Sequence, residues 1–321
     1  MGKEHVAHAE LSRFAKEKVN LPKDKADGYR EQAKRLQDKL VNYLEDNPDF
    51  ELRRMITSGS LAKGTALKSL NDIDVGCYIS GVSTEIKIAE LLDYLVEKLS
   101  KAFPNFSADQ IKPQTYCVTV SFLGSGLDVD IVPIIYDGNK EWFGYVVNKN
   151  DGSFLKTNIP LHLDFIRKRK SNNKKHFSQL VRLIKFWAKH MKLERDGFRF
   201  KSFMIELILS KLADGGMDCS DYVEGMQSFF TYVSKTNIRE LIAFTDYYNV
   251  SELRNYPEPI KIIDPVNAEN NAASLYTNHQ ADLIVEAALD AGDAIDAAMF
   301  ATTKEKTIYY WQKLFGPSFS I

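Results

Sequence analysis

Apolar residues recur at helical spacing over two long parts of the chain, which predicts helices there. Near the N-terminus this spacing covers residues 1–19 and roughly 25–46, and it returns at residues 86–103. Past residue 158 it continues almost to the C-terminus. The helices predicted in that part span residues 161–170, 176–193, 202–213, 220–234, 237–245, 278–299 and 304–314.

Between the N-terminal helices and residue 158, a different pattern predicts strands. Apolar and β-branched residues form short runs at residues 54–57, 73–79, 116–122 and 127–135. Turn signals separate them, such as Ser58-Gly59-Ser60 and Gly124-Ser125-Gly126. The sequence therefore predicts an α+β fold of two lobes with a cleft between them. Residues 1–158 would form a mixed sheet with packed helices, including the N-terminal bracing helices, and residues 159–321 an all-helical domain.

The composition narrows the class of protein. Charged residues are 26% and hydrophobic residues 44% of the chain, which excludes a disordered or fibrous protein. The net charge of −1 argues against a protein that grips long nucleic acid mainly through its phosphates. The three separated cysteines form no CxxC pair, and no apolar run approaches the roughly 20 residues of a membrane span. We therefore expect a cytoplasmic protein without a membrane span, disulfide framework or zinc site.

The clearest chemical signal is a pair of carboxylates at the start of the strand predicted at residues 73–79. Asp72 and Asp74 alternate with apolar residues, so both point to one face of the strand. Two such carboxylates repel each other unless a cation lies between them, and Mg²⁺ prefers carboxylate and phosphate oxygens. Upstream, the Gly59-Ser60 turn offers backbone N–H groups and a hydroxyl to a phosphate. This segment thus predicts a metal platform beside a phosphate cradle.

A later strand offers the third carboxylate that a two-metal site requires. Asp128 and Asp130 again alternate with apolar residues. Two ions about 4 Å apart would activate an attacking hydroxyl and stabilise the leaving pyrophosphate. A single Asp-x-Asp motif is more often a solvated strand edge, but here it combines with the Gly-Ser turn and the second aspartate strand. Asp72, Asp74 and Asp130 are therefore the predicted catalytic and metal-binding residues. The predicted cofactor is a pair of Mg²⁺ ions, with Mn²⁺ as the alternative metal.

These motifs resemble those of nucleotidyltransferases of the DNA polymerase β type. Within that superfamily they are similar to oligoadenylate synthases and their bacterial relatives, the CD-NTases. The chain resembles in particular the CD-NTases encoded beside HORMA-domain proteins in anti-phage CBASS operons. The segments that carry the resemblance are Gly59-Ser60, Asp72-Ile73-Asp74, Asp130-Ile131-Val132-Pro133, Arg182-Leu183-Ile184-Lys185-Phe186-Trp187, Lys201-Ser202-Phe203-Met204-Ile205-Glu206-Leu207 and Ile263-Asp264-Pro265-Val266-Asn267 with Asn270-Asn271.

The resemblance implies a polymerase-β-type palm and a set of nucleotide-binding residues. Lys185 would bind the triphosphate together with the Gly59-Ser60 turn, and Lys189 lies one helical turn further on. Ser202 would contact a phosphate, or alternatively would only cap its helix. Lys63 would either contact a phosphate or be a loop side chain with no part in binding.

One basic run has two interpretations. Arg167-Lys168-Arg169-Lys170, with Lys174 and Lys175, resembles a nucleic-acid patch. We favour a solvated helix end, because cations complement the dipole at a helix C-terminus.

The resemblance implies a signalling enzyme that makes a cyclic oligonucleotide second messenger from ATP or other NTPs. Cyclic triadenylate is the leading expectation. The resemblance also implies a HORMA-domain activator, an opposing AAA+ ATPase and DNA as a further activator. An RNA 3′-end nucleotidyltransferase, which the near-zero net charge argues against, or a linear oligoadenylate synthase is the alternative. A catalytically dead binding module, which the three carboxylates argue against, and an aminoglycoside-modifying enzyme stay as further alternatives.

Overall fold

The structure, a computed structural model, describes residues 5–45, 51–81 and 90–320. In chain order the α-helices are α1 (His8–Phe14), α2 (Lys23–Glu45), α3 (Gly59–Lys63), α4 (Leu91–Ala102), α5 (Ile159–Glu194), α6 (Ser202–Asp214), α7 (Tyr222–Lys235), α8 (Asn278–Phe300) and α9 (Lys304–Phe315). The strands are β1 (Glu51–Thr57), β2 (Asp72–Ser80), β3 (Ile111–Pro113), β4 (Val118–Phe122), β5 (Leu127–Tyr136), β6 (Gly144–Val147), β7 (Phe154–Thr157), β8 (Ile263–Asp264) and β9 (Asn267–Asn271). Among all the residues that the structure describes, no helix is long and apolar enough to cross a membrane.

The chain forms two compact units. The sheet unit comprises the described residues of Leu21–Gly64 and Ser69–Asp164, and the helical unit those of Met1–Asn20, Thr65–Lys68 and Phe165–Ile321. Helix α1 thus belongs with the C-terminal helices. The predicted division at residue 158 placed both N-terminal helices with the sheet. The structure differs from this prediction in the placement of α1.

The sheet unit contains a mixed sheet, as the sequence predicts. Its strand order is β1-β2-β5-β4-β3, with β6 joined to β5 and β7 joined to β6. Strands β2 and β5 run parallel, whereas β1 is antiparallel to β2 and β4 is antiparallel to β5. The four predicted strands correspond to β1, β2, β4 and β5. The short strands β3, β6 and β7 were not predicted, because three or four residues are too few to show an alternation.

One face of the central strands forms the core of the sheet unit. Ile73 and Val75 of β2 and Val129 and Ile131 of β5 are at most 1% exposed, and Leu95 of α4 belongs to the same core. A shift of either strand by one residue would exchange these side chains for the polar ones between them, so the apolar alternation fixes which face is buried. The aspartates that alternate with these residues therefore face away from this core.

The part of the 36-residue helix α5 from Phe165 onward belongs to the helical unit and contributes to its core. Trp187, near the C-terminal end of α5, is fully buried, and its ring centre lies 4.7 Å from that of Phe230 on α7. Buried alanines of α8, such as Ala287 and Ala291, belong to the same core. Small side chains allow close helix packing, which agrees with their regular spacing in the sequence.

Two helix predictions in this unit are wrong. The helices predicted at 161–170 and 176–193 form the single helix α5, because the polar stretch between them contains no Gly or Pro to end a helix. The helix predicted at 237–245 does not form. Asn237 and Ile238 have φ values of 48° and 53°, which end the helical path after α7, and Ile242 instead bridges to Ile262.

Because α5 is continuous, the basic run does not lie at a helix C-terminus, where we expected it from the sequence. Arg167-Lys168-Arg169-Lys170 lies inside a helix, so no C-terminal helix dipole accounts for it. Arg169 is buried and binds two carboxylates, whereas Arg167 and Lys168 are exposed. Other parts of the predicted helices, namely residues 1–4, 46 and 86–89, lie outside the described residues.

Candidate active site

The two Asp-x-Asp motifs lie side by side on neighbouring strands. In the parallel register of β2 and β5, Asp72 pairs with Asp128 and Asp74 pairs with Asp130. Because their apolar neighbours are buried on the opposite face, the four carboxylates share one face of the sheet. The structure therefore brings together the three predicted catalytic aspartates, Asp72, Asp74 and Asp130, which we call the carboxylate cluster.

Burial and like-charge repulsion both disfavour the charged form of the carboxylates in this cluster. Burial, followed by the negative charges of Asp72 and Asp130, raises the pKa of Asp74 to about 6, although Lys63 acts in the opposite direction. Burial also raises the pKa of Asp130, with a hydrogen bond from Thr119 lowering it and the charge of Asp72 raising it. Carboxylates that disfavour one another's charged form are typical of functional sites.

The chemistry of these residues fits the divalent metal that the resemblance implies. A hard cation takes carboxylate oxygens, and its charge would relieve the repulsion that raises the pKa of Asp74. Within residues 5–45, 51–81 and 90–320, no group of three His, Cys, Asp or Glu side chains is already arranged to hold a metal ion. The fit of a metal ion therefore rests on the chemistry of these carboxylates and on their place on one face of the sheet.

Gly59 allows the start of α3 to approach the carboxylate cluster. Its φ is +66°, and a Cβ atom at this position would lie 1.7 Å from Oδ2 of Asp74. Only glycine fits here without displacement of that carboxylate. The backbone N–H of Ser58 donates to the carbonyl of Asp74 at 2.7 Å and holds the approach in place.

The turn predicted at residues 58–60 is in fact the beginning of a helix. Ser58 is the N-cap of α3, and Ser60 lies in its first turn. The prediction was wrong because a five-residue helix is too short to show periodicity in the sequence. Lys63 is the last residue of α3, and its positive charge lowers the pKa of Asp74. All three predicted residues, Gly59, Ser60 and Lys63, belong to the sheet unit.

In the helical unit, Lys185 already has a partner in the protein. It is 8% exposed, and its Nζ donates to the carbonyl of Thr65 at 2.9 Å. The hydroxyl of Thr65 in turn donates to the buried carboxylate of Glu206 at 2.9 Å. Lys185 thus fixes the backbone at Thr65, a contact that the sequence did not indicate.

The other two predicted residues of the helical unit are both exposed. Lys189 lies one turn beyond Lys185 on α5, and Ser202 is the first residue of α6. The N-cap of α6 is Lys201, so the alternative capping role for Ser202 is wrong. A hydroxyl at this end of a helix lies where backbone N–H groups and the dipole favour an anion.

Sequence reasoning missed a hydrogen-bond donor that faces Asp130. The hydroxyl of Thr119 donates to Oδ1 of Asp130 at 2.6 Å. Burial, followed by the charge of Asp130, raises the pKa of the neighbouring Cys117 thiol to about 12, so this thiol stays protonated. The available signal was the alternation in Cys117-Val118-Thr119-Val120-Ser121, which gives this strand one polar face.

Comparison with known proteins identifies the family of the chain. The profile of the Second Messenger Oligonucleotide or Dinucleotide Synthetase domain matches residues 6–170. The cyclic AMP-AMP-AMP synthase of Escherichia coli (strain MS 115-1) is 61% identical over 319 residues, which is 99% of each chain.

Two solved structures extend the agreement to the whole fold. The E. coli MS115-1 CdnC structure with ATP has a TM-score of 0.92 and 62% identity, covering 99% of this chain and 100% of that one. The E. coli MS115-1 CdnC:HORMA-deltaN complex has a TM-score of 0.91 and 61% identity, covering 99% of both chains. These matches confirm the predicted fold class and the resemblance to CD-NTases. The chain belongs to the family of second messenger oligonucleotide or dinucleotide synthetases.

Proposed function

We propose that this chain joins ATP molecules into cyclic triadenylate and releases pyrophosphate. As a member of its family, it is a nucleotidyltransferase that makes a cyclic oligonucleotide second messenger. The choice of adenine and of a three-membered ring is supported by the 61% identity to a cyclic AMP-AMP-AMP synthase. The observation that carries the proposal is the register that pairs Asp74 with Asp130 and Asp72 with Asp128. We assign the product to anti-phage signalling, in line with the resemblance to CBASS cyclases.

Two Mg²⁺ ions, or Mn²⁺ in their place, complete the proposed site. Asp72 and Asp74 would hold both ions, and Asp130 would hold the one nearer the attacking hydroxyl. When bound, the metal neutralises the charge of the triphosphate and acidifies the attacking hydroxyl. The Asp130 carboxylate would also receive the proton that the attacking hydroxyl gives up.

The remaining residues are proposed to bind the triphosphate. In the sheet unit, Gly59 leaves backbone N–H groups accessible beside the carboxylate cluster, and Ser60 and Lys63 would add a hydroxyl and a positive charge. In the helical unit, Lys185, Lys189 and Ser202 keep the roles that the resemblance implies. For Lys185 this role adds to its bond with Thr65, because an ammonium group has three donors.

Partner proteins are proposed to control the enzyme. A HORMA-domain protein is the proposed activator, supported by the CdnC:HORMA-deltaN complex. Activation requires that the partner bind the active conformation better than the resting one. An AAA+ ATPase would oppose this activation, and DNA would act as a further activator. We place the reaction in the cytosol, where its substrate ATP is found.

Product analysis tests the proposed function. The purified chain is incubated with Mg²⁺ and each NTP in turn, with and without the HORMA partner, and the products are identified by mass spectrometry. We expect a cyclic trimer from ATP, weak for the chain alone and stronger with the partner. Asp130→Asn is the matched inactive control, because it removes one charge and keeps the shape.

A parallel reaction addresses the alternative function. Labelled ATP is supplied alone or with tRNA, and the label is followed into RNA or into small products. Incorporation into the RNA 3′ end without a cyclic product would refute the proposal, and a linear oligoadenylate as the final product would refute the cyclisation step. Full activity of the isolated chain, with no complex in a pull-down, would overturn the regulatory part alone.

A further inference from the structure

Strand β4 places a row of polar donors opposite the carboxylates of β5. In the antiparallel register of these strands, Thr119 pairs with Asp130 and Ser121 pairs with Asp128. The alternate residues Val118 and Val120 are fully buried on the other face. The polar face of β4 thus lies on the same side of the sheet as the proposed catalytic residues.

Among the described residues, a hydrogen bond between side chains joins only one of these two cross-strand pairs. The Thr119 hydroxyl donates to Oδ1 of Asp130 at 2.6 Å, a short distance typical of a hydroxyl bound to a carboxylate. For Ser121 the bond is made by the backbone, whose carbonyl accepts from Nε2 of Gln110 at 2.9 Å. The two positions therefore differ in function despite equivalent places on the strand.

Thr119 is well suited to fix an orientation. Its β-branched side chain restricts χ1, so the hydroxyl is held in place before the bond forms. The bond occupies one oxygen of Asp130 and limits rotation of the carboxylate. Side chains that hold a metal ligand in this way commonly influence metal affinity and activity.

We propose that Thr119 is a positioning residue that orients the Asp130 carboxylate for the metal and the attacking hydroxyl. This inference rests on the proposed function of Asp130. It assigns to β4 a part in the chemistry that the Asp-x-Asp motifs alone do not indicate. Thr119 does not itself touch the substrate in this proposal, so its loss would alter metal binding and turnover more than the binding of ATP.

Three single variants of the full-length chain test the proposal. Thr119→Val removes the hydroxyl and keeps the shape, Thr119→Ser keeps the hydroxyl and removes the methyl group, and Ser121→Ala is the matched control on the same face. The first readout is Mn²⁺ binding to the protein without nucleotide, measured by the electron paramagnetic resonance of free Mn²⁺. The second is kcat and the KM for ATP with saturating metal, and melting temperature verifies that each variant folds.

For Thr119→Val we expect about 10- to 100-fold weaker Mn²⁺ binding or lower kcat, with a KM for ATP within about threefold of wild type. Thr119→Ser and Ser121→Ala should stay within about threefold in both readouts. Unchanged Mn²⁺ binding and kcat in Thr119→Val would overturn the proposal. So would an equal loss in Thr119→Ser, because the methyl group rather than the hydroxyl would then be responsible.

Failure of the proposed function is distinguishable from failure of this inference. If the wild-type chain makes no cyclic product from ATP under any condition, the proposed function is wrong. The Mn²⁺ titration needs no turnover, so it still decides whether Thr119 orients the carboxylate for a metal.

Discussion

Two groups of charged side chains in this chain are built in opposite ways. The carboxylate cluster gathers charges of one sign on neighbouring strands of the sheet unit. In the helical unit, the guanidinium of Arg169 donates to Asp246 at 2.8 and 2.9 Å and to Asp214 at 2.5 Å. We call these three residues the Arg169 cluster. Its arginine side chain is only 7% exposed, so charge is buried in both groups.

The pKa shifts show that one group favours the charged form of its buried residue and that the other disfavours it. Burial alone would lower the pKa of Arg169, but the hydrogen bonds that its guanidinium donates to Asp246 and Asp214 outweigh burial and raise the pKa. The charged form of Arg169 is therefore favoured, whereas the raised pKa of Asp74 means that its charged form is disfavoured. A buried charge with opposite partners serves the fold, and buried like charges indicate a site that awaits a cation.

The largest expected effect follows from removing charge from the carboxylate cluster. Asp72→Asn combined with Asp74→Asn keeps the shape of the site and removes two proposed metal ligands. We expect cyclic product formation to fall by a factor of about 10³ or more, because the metal ions would lose two of their three proposed carboxylate ligands. Product yield and melting temperature are measured together. Near-normal turnover in this folded double variant would refute the metal assignment.

The corresponding change in the Arg169 cluster should act on stability instead. Arg169→Met leaves two carboxylates without their cation, and we expect a loss of about 3 kcal/mol in the free energy of unfolding. Urea denaturation measures this loss, and the exposed neighbour Arg167→Met is the control, with an expected change within about 0.5 kcal/mol. The specific activity of folded Arg169→Met should remain close to wild type. If Arg169→Met were as stable as wild type but inactive, the Arg169 cluster would serve activity rather than stability, and the contrast between the two groups would be wrong.

The same contrast explains which parts of the site could be predicted from the sequence. Asp72, Asp74 and Asp130 were accessible because alternation with apolar residues places each on one face of its strand, whatever the partner strand. The register that pairs Asp74 with Asp130 was not accessible, since it depends on contacts between strands more than 50 residues apart. Thr119 lies only 11 residues from Asp130, but its role depends on which residue of β5 lies opposite it, and the turn signal alone does not fix that register.

In the helical unit the limits of prediction were of another kind. Local helical spacing located most of its helices, but it could not decide whether two helical stretches are one helix. The pairing of Arg169 with Asp214 and Asp246 joins residues 45 and 77 positions apart. No local pattern marks such a bond, so a buried structural arginine was interpreted as part of a solvated run.

A smaller effect is expected in the pH dependence of stability. The pKa of Asp74 is raised to about 6 in the folded chain, from an ordinary 3.8, so the native state holds this proton more tightly than the unfolded state. Stability should therefore fall as the pH rises between these two values, and the full penalty is present above the folded pKa. Asp74→Asn removes the penalty, and we expect it to be more stable than wild type by about 2 kcal/mol near pH 7.5 but not near pH 4.

Denaturant unfolding of wild type and Asp74→Asn across this pH range provides the measurement. Asp246→Asn is the matched control from the Arg169 cluster. It removes charge from an opposite-sign pair, so near neutral pH it should lower stability where Asp74→Asn raises it. If both variants shift stability in the same direction, the two groups do not differ as described.

The smallest effect is the one that a metal ion itself should have on stability. Mg²⁺ that binds only the folded chain stabilises it by mass action, by about 1.4 kcal/mol at a concentration tenfold above its dissociation constant. The ion would cancel the repulsion within the carboxylate cluster, so the gain should vanish in the Asp72→Asn/Asp74→Asn variant and persist in Arg169→Met. Melting curves with MgCl₂, against NaCl at matched ionic strength, separate specific binding from screening, because exposed charges respond to both salts. An equal Mg²⁺ response in the double aspartate variant would place the ion elsewhere and remove the explanation for clustered like charges on β2 and β5.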